Sequence, residues 1–343
     1  MNVTGAIAVT EASQVAEGRR LALWLGSSLD FSEERSGRAA LVASELASNL
    51  HKHARSGELL FRRLRTANGD ADGMEILALD KGPGIAELAL SQRDGYSTAG
   101  TLGHGLGAIE RQADEVEIYT HATGTVIAAR LWRKTPAANA SHPHYEVGAV
   151  HVAKSGEPVC GDDWAWRLRD SRLDIFVADG LGHGLPAHEA ATAATRVFAA
   201  GHELRPGRLV EDVHAALRPT RGASVAALSV DLERRTATYA GLGNIGGVVL
   251  HPTGARHSMV SHNGTAGATA ARIQEFHYVV PSGAIVVMFS DGLATQWDLG
   301  AYPGLQQRSA SVIAGVLYRD FSRRRDDVTV VVARERQPVA EKL

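Results

Sequence analysis

Phe176-Val177-Ala178-Asp179-Gly180-Leu181-Gly182-His183-Gly184 decides how the second half of this chain is read. An apolar run ends in a carboxylate, a glycine-rich turn follows, and Pro186 opens a run rich in Ala, Thr and Val. Proline suits the first turn of a helix, where its missing N–H leaves nothing unpaired. The stretch therefore predicts a buried strand that delivers Asp179 to the rim of a sheet, then a turn, then a helix. A lone Asp-Gly is usually only a connector. Here Phe289-Ser290-Asp291-Gly292-Leu293 repeats the arrangement, and Asp162-Asp163 and Asp326-Asp327 border other apolar segments.

Four acidic clusters, far apart in sequence, thus each touch a segment that reads as a central strand. Burying several carboxylates together is prohibitive unless cations neutralise them. Oxygen donors without a Cys or His cluster select a hard ion, magnesium or manganese, over zinc. Two such ions can orient an activated water toward a phosphorus atom, with the Gly180 carbonyl as one more oxygen ligand. The plainer alternative is four separate strand-end turns. The shared pattern favours the metal site.

Working outward, the length of 343 residues suggests two domains, and 44% apolar residues give each a core to bury. The formal net charge is −2 with no long basic run, which argues against nucleic acid as a partner. Cys160 is the only cysteine, so an intramolecular disulfide is excluded and a reducing cytoplasm fits. No signal-peptide pattern opens the chain, and no apolar run reaches the roughly 20 residues that cross a bilayer. The expectation is a cytoplasmic protein without a membrane partner.

In the first half the pattern predicts a strand at Gly5–Val9 and helices at Ser13–Leu25 and from Glu33 to about Arg55. Asp30 and Glu33 have capping-box spacing at the second helix. Strands follow at Leu59–Arg65, Met74–Asp80, Glu115–His121 and Thr125–Trp132, with a short helix at Ala108–Ala113. Residues 135–144, with two prolines and little to bury, read as a linker. In the second half, strands are expected at Tyr145–Val152, Ala165–Leu168, Asp174–Ala178, Ser224–Asp231, Thr236–Ala240, Gly246–His251, Glu275–Val280, Ala284–Ser290 and Val328–Arg334. Helices are expected at Pro186–Ala200, Pro206–Leu217 and Ser309–Ser322. The predicted class is α+β in both halves: helices on a sheet first, then helices outside a two-sheet core.

The first half carries its own constellation. Glu45 and Asn49 lie four residues apart on one helix face, with Lys52 and His53 a turn further. An amide oxygen can bind magnesium and a glutamate can activate a hydroxyl. Asp80-Lys81-Gly82-Pro83-Gly84 places a carboxylate at a strand end, able to accept from an exocyclic amine, beside glycines that turn closely around a flat base. Gly100 to Gly107 precedes a helix whose free N–H groups favour phosphate, and Thr125 adds a hydroxyl.

On these residues, positions from about 10 to 133 resemble the GHKL (Bergerat) ATP-binding fold, in particular the anti-sigma-factor serine kinases of RsbW and RsbT type. The resemblance implies ATP with Mg2+: Asn49 on the magnesium, Glu45 as catalytic base, Asp80 on adenine beside Gly82 and Gly84, and Gly103, Gly105 and Gly107 lining the phosphate lid. Lys52 and Thr125 complete the implied cofactor set.

Positions from about 145 to 335 resemble type-2C metal-dependent serine/threonine phosphatases of the SpoIIE and RsbX branch, an α-β-β-α sandwich. The matching segments are Gly161-Asp162-Asp163-Trp164, Asp179 to Gly184, Gly241-Leu242-Gly243-Asn244, Ser290-Asp291-Gly292-Leu293 and Asp326-Asp327-Val328-Thr329. The resemblance implies two Mn2+ or Mg2+ ions on Asp162, Asp179, Gly180, Asp291 and Asp326, with Asp163 and Asp327 as the fallback within each doublet. Asp179 and Asp291 carry the catalysis. No arginine is clearly placed to clamp a phosphate. His183 has a minor claim to assist the leaving group, Cys160 reads as a small buried side chain, and Arg323-Arg324-Arg325 as a solvated helix end or docking patch.

The implied organisation is a kinase-like domain (1–134), a linker (135–144), a phosphatase domain (145–336) and a tail (337–343). The implied function is partner switching: dephosphorylation of phosphoserine or phosphothreonine on a STAS-domain anti-sigma-factor antagonist or stressosome protein, with an anti-sigma or phosphatase-activating protein as a further partner. The kinase-like domain phosphorylates the same partner or gates the phosphatase. Two alternatives stand beside this: a chain that is primarily a kinase or ATP-dependent switch, and a non-catalytic module that sequesters its partner.

Overall fold

The computed structural model describes residues 4–54, 57–65, 72–85, 105–134, 145–201, 205–270 and 272–335. Contacts divide the chain into two compact units, Met1–His142 and Pro143–Leu343. Residues 135–144 and 337–343, read above as linker and tail, lie outside the described residues, as does Gly103.

The first unit runs β1 (Thr4–Val9), α1 (Ser13–Ser28), α2 (Glu33–His53), β2 (Gly57–Arg65), β3 (Asp72–Asp80), α3 (Gly105–Gln112), β4 (Glu115–His121) and β5 (Gly124–Trp132). Its sheet has the order β1-β2-β3-β5-β4, antiparallel throughout. Alternation along the strands points Leu59, Phe61, Met74, Ile76, Ala78, Ile127, Ala129 and Leu131 to one face. There they meet the apolar stripe Ala39, Val42, Ala43, Leu46 and Leu50 of α2. The helix start differs from the capping-box reading. Asp30 sits in a left-handed turn at φ 53, and Ser32 is the N-cap, its Oγ accepting from the Arg35 N–H at 3.2 Å. Serine two residues later caps better because the chain is already extended there, whereas Asp30 is still inside the turn that leaves α1.

The second unit begins with β6 (Tyr145–Val152), β7 (Asp162–Arg169), β8 (Arg172–Gly180), α4 (Leu185–Ala200), α5 (Pro206–Ala216), β9 (Ala223–Asp231) and β10 (Thr236–Leu242). It continues through β11 (Gly246–Leu250), β12 (Arg256–Ser258), β13 (Gly264–Thr265), β14 (Thr269–Ala270), β15 (Phe276–Val279), β16 (Ile285–Phe289), α6 (Ala310–Phe321) and β17 (Val328–Glu335). One sheet has the order β15-β10-β9-β8-β7, the other β12-β11-β16-β17-β6. Their inner faces share a core that includes Trp164, Ile175, Val177, Leu228, Tyr239, Val249, Val286 and Val331. The outer face of the first sheet packs Phe176, Val225 and Ala227 against Ala191, Ala194 and Phe198 of α4 and Val210 and Val213 of α5. Helix α6 lies on β6 and β17, completing α-β-β-α layers. Strands buried on both faces explain the unbroken apolar runs Val330–Ala333 and Ile285–Phe289.

The β7–β8 hairpin is longer than the expected strands at 165–168 and 174–178, its open end reaching Asp162 on β7 and Gly180 on β8. This extension matters for the site. Ladder pairing overrides the poor strand propensity of aspartate and glycine when a neighbouring strand is in register.

Candidate active site and nucleotide cradle

In the second unit the hairpin register sets Asp162 directly opposite Asp179. Successive side chains of a strand face opposite ways, so Asp162 and Asp163 part company. Asp163 accepts the Thr195 hydroxyl of α4 at 2.6 Å and the Trp164 N–H at 2.9 Å, which fastens β7 to α4. Asp162 is 1% exposed, and neither of its oxygens has a hydrogen bond of ordinary geometry. Burial pushes its carboxyl up to about 7; the nearby Ser290 and Thr329 hydroxyls pull down, and the charges of Asp327 and Asp291 push up again.

Asp179, at the end of β8, is pushed up to about 9 by burial and then by Asp162, Asp291, Asp326 and Asp327. Asp291 follows β16, where its Oδ2 accepts from Asn244 Nδ2 at 2.7 Å. Its carboxyl is also raised, by burial and by Asp326, against the opposing charge of Arg323. Asp327 is buried beneath, accepting the Lys154 N–H at 2.9 Å, while the half-buried Asp326 accepts the Asp327 N–H at 3.0 Å. The fold thus brings Asp162, Asp179, Asp291 and Asp326 into one electrostatic neighbourhood from the ends of both sheets. Among the described residues no three carboxylate, imidazole or thiol groups close into a finished cation cage. The carboxylates share a field and keep their distance, as like charges do.

Close backbone approach holds the cluster together. A β-carbon at Gly180 would strike the Ala187 carbonyl at the start of α4, and one at Gly292 the Asp327 carbonyl. Around this floor, Cys160 is buried with its thiol pushed well up by burial and by Asp162 and Asp327. His151 is buried against Thr329 at 3.0 Å and is lowered by burial. At the mouth, His183 Nδ1 lies 2.6 Å from Glu157 Oε1.

Sequence reading placed none of Asn244, Glu157 or Arg323 at the acidic site, although Asn244 lies in a quoted segment and Arg323 was read as part of a solvated helix end or docking patch. The Gly243-Asn244 pair was the available signal for the first. Glu157 had none, and a run of three arginines does not say which one faces the acids. Here Arg324 turns onto the Tyr318 ring, 4.8 Å from its centroid, while the Arg323 N–H donates to the Gly292 carbonyl next to Asp291, whose carboxyl its charge pulls down.

In the first unit the cradle forms at one end of the sheet. Asp80, the last residue of β3, accepts the Gly82 N–H at 2.5 Å, which bends the chain back on itself. Gly82 lies where a β-carbon would be 3.4 Å from the His53 carbonyl, so the end of α2 abuts this turn. Gly84 has φ +78 and is pressed against the His121 carbonyl, a position closed to side chains. The Thr120 hydroxyl accepts the Ile85 N–H at 2.7 Å and lies 3.3 Å from the buried Thr125 hydroxyl. Glu45 and Asn49 are half-buried on α2, whereas Lys52 is exposed near its end. Gly105 and Gly107 form the first turn of α3. Asp80, Gly82, Gly84 and Thr125 are therefore brought together by β3, β4 and β5.

Comparison with known proteins finds relatives for both halves of the chain. Residues 169–336 match the family of stage II sporulation protein E (SpoIIE), and residues 8–131 match the histidine kinase-like ATPase domain. The chain is 31% identical over 133 residues to the serine/threonine-protein kinase RsbT of Bacillus subtilis (strain 168), covering 38% of this chain and 98% of that protein. It is 24% identical over 189 residues to the phosphoserine phosphatase RsbX of the same organism, covering 55% of this chain and 94% of that protein. A chain solved in work on the bacterial stressosome, as a modular system adapted to control secondary messenger signaling, is 27% identical, with 55% of this chain and 99% of that chain covered at a TM-score of 0.52. The first unit has the GHKL fold and the second the type-2C phosphatase fold. Through residues 8–131 the chain belongs to the histidine kinase-like ATPase family, and through residues 169–336 it carries a SpoIIE-type serine/threonine phosphatase domain, which puts a phosphatase and a kinase-like domain of partner-switching regulators into one chain.

Proposed function

We propose that the second unit, residues 145–336, hydrolyses the phosphate ester of a phosphoserine or phosphothreonine on a STAS-type regulatory protein in a cation-dependent reaction. The observation that carries this is Asp162: a carboxylate 1% exposed, with neither oxygen in a hydrogen bond of ordinary geometry, facing Asp179 across a strand pair. Unpaired buried carboxylates are costly, and hard dications are the groups that relieve them. The residues fit two Mn2+ or Mg2+ ions held by Asp162, Asp179, Asp291, Asp326 and the Gly180 carbonyl. When bound, such ions grip the phosphate and supply an activated water.

The chain's own groups do the rest. Asn244 orients Asp291, while the Thr195–Asp163 and Lys154–Asp327 bonds hold the strand ends that carry Asp162 and Asp326. His183, braced by Glu157, stands at the mouth where a leaving hydroxyl takes a proton. A cytoplasmic location suits such a partner, and among the described residues no helix is long and apolar enough to cross a membrane.

The first unit, residues 1–134, is proposed to bind ATP with Mg2+ through Asn49, Lys52, Asp80, Gly82, Gly84, Gly103, Gly105, Gly107 and Thr125. Glu45 would serve as base for phosphorylating the same partner, or nucleotide occupancy would gate the phosphatase. Phosphate release from a phosphoserine peptide is the test, measured with Mn2+, with EDTA, and with Asp179→Asn. Activity that needs the cation and vanishes in the variant supports the reading. Folded protein that releases nothing from the peptide, an aryl phosphate or a phosphorylated STAS protein defeats it and moves the working end to the ATP site.

A further inference from the structure

We propose that Arg221 and Arg323 form the substrate-phosphate subsite of the phosphatase unit, one guanidinium from the rim of each sheet. The inference rests on the phosphatase reading above and names what that reading lacks, a group that takes the phosphate's charge.

Arg221 lies on the turn between α5 and β9. Its terminal nitrogen is 3.4 Å from where a β-carbon would stand on Gly182, so the guanidinium lies over the glycine turn that follows Asp179 and Gly180. That turn is built rather than loose. The Thr220 hydroxyl donates to the Leu217 carbonyl at 2.7 Å and accepts the Gly222 N–H at 3.0 Å. Leu181 N–H then donates to the Gly222 carbonyl at 3.0 Å, tying the arginine turn to the aspartate turn.

Arg323 lies on the turn between α6 and β17. Its N–H donates to the Gly292 carbonyl at 2.8 Å, and Ser322 pairs with Leu293, so the residue is locked beside Asp291. Arg324, in the left-handed region at φ +57, peels away to donate to the Tyr318 hydroxyl at 3.2 Å. Both Arg221 and Arg323 are exposed, and among the described residues neither guanidinium is in an ion pair.

Charge balance shows why the site needs them. Four ligand carboxylates cancel two dications, which leaves the two negative charges of a phosphate monoester unopposed next to the further buried carboxylate of Asp327. Guanidinium groups match phosphate oxygens in paired hydrogen bonds, remain charged at any working pH, and desolvate more easily than ammonium groups. Two of them on fixed turns offset the two charges of the phosphate without competing for the cations, since a cation repels a cation.

The test uses the full chain with Mn2+ and compares Arg221→Ala, Arg323→Ala, Arg221→Lys, Arg323→Lys and a control, Arg325→Ala, at a neighbouring exposed arginine. Each alanine variant is expected to raise KM for a phosphoserine peptide and the inhibition constant of inorganic phosphate about tenfold or more, the loss of one charge-assisted pair. The kcat should change less than KM, the lysine variants should fall between, and Arg325→Ala should match wild type. Calorimetric titration is expected to show weaker binding of inorganic phosphate and unchanged binding of Mn2+, with unchanged melting temperatures. KM and phosphate affinity within about twofold of wild type in both alanine variants, with wild type active, overturn this subsite alone and make both residues ordinary solvated arginines. Weakened Mn2+ binding overturns it too. Wild type without cation-dependent release overturns the phosphatase reading and the subsite together.

Discussion

Replacing Asp162 by Asn should make the cation-free phosphatase unit more stable at neutral pH and remove its stabilisation by cations. The sign follows from the direction of the shift. Burial, with Asp327 and Asp291, lifts the Asp162 carboxyl from 3.8 to about 7, so between these values the folded state keeps a proton that the unfolded chain has released. Stability from this group is full below pH 3.8 and falls as pH rises toward about 7. At about 1.4 kcal/mol per pH unit the loss is roughly 4 kcal/mol at neutral pH, an upper bound because the neighbouring acids share it. A buried amide without partners returns about 1–3 kcal/mol of cost. The net gain for Asp162→Asn is then roughly 2 kcal/mol, or about 4–8 °C in Tm for a unit of this size. Calorimetric scans of the full chain in EDTA at pH 4 and pH 8 would read it in the transition of the second unit. The variant should melt below wild type at pH 4, by the cost of the amide, and above it at pH 8, and Mn2+ should raise only the wild-type transition. An offset between variant and wild type that is the same at pH 4 and pH 8 would show that the carboxylate is already satisfied and refute the reasoning.

Three further outcomes are expected. Gly180→Ala drives a methyl into the Ala187 carbonyl and moves the strand end that carries Asp179; phosphate release should fall at least about 100-fold, with a lower Tm for the second unit. In the first unit, Glu75 is 0% exposed and takes Arg62 at 2.8 Å and Arg130 at 2.7 Å, holding Arg130 above its ordinary value despite burial. Glu75→Leu leaves both guanidinium groups without that partner and should cost about 3–5 kcal/mol by denaturant titration, whereas a small loss would mean that Glu115 suffices. Asp80→Asn keeps an acceptor for the Gly82 N–H but turns a donor toward an exocyclic amine; calorimetric ATP affinity should fall about tenfold or more, and an unchanged affinity would remove adenine from that position.

How much of this was legible in the chain depends on whether local pattern or long-range register decided it. Continuous apolar runs bounded by Asp-Gly gave the central strands, and Pro186 and Pro206 marked two helix starts. Register was not legible. That Asp162 faces Asp179 depends on a hairpin continuing two residues past Trp164, which only a paired neighbour can enforce. The choice within each doublet was likewise a question of faces: Asp163 belongs to Thr195 and Asp327 to Lys154, partners 32 and 173 residues away. The buried Arg62–Glu75–Arg130 network had no sequence signal, because alternating charge on adjoining strands reads as a solvated face. The short strands β12, β13 and β14 are too brief for any periodicity. The capping reading failed on two residues of turn, where Ser32 and Asp30 are equally good donors' acceptors and only backbone conformation separates them.

The carboxylate cluster is also where stability and function are the same quantity. A fold that buries Asp162 and Asp179 side by side at neutral pH is destabilised in proportion to how far their protons are held back. A dication that displaces those protons recovers the same free energy, so the cation-free cost reappears as cation affinity. The surrounding structure is arranged to keep that cost from being relaxed away. Gly180 and Gly292 bring backbone within reach of α4 and of Asp327, and Asn244 pins Asp291, so the acids cannot swing apart without breaking strand pairing. A looser site would be more stable empty and bind cations less well. Acidic pH should therefore favour the empty unit and oppose cation binding together, and the two effects should track each other proton for proton in titrations between pH 4 and pH 9. Stability gained at low pH without a matching loss of cation affinity would separate the buried acids from the binding site.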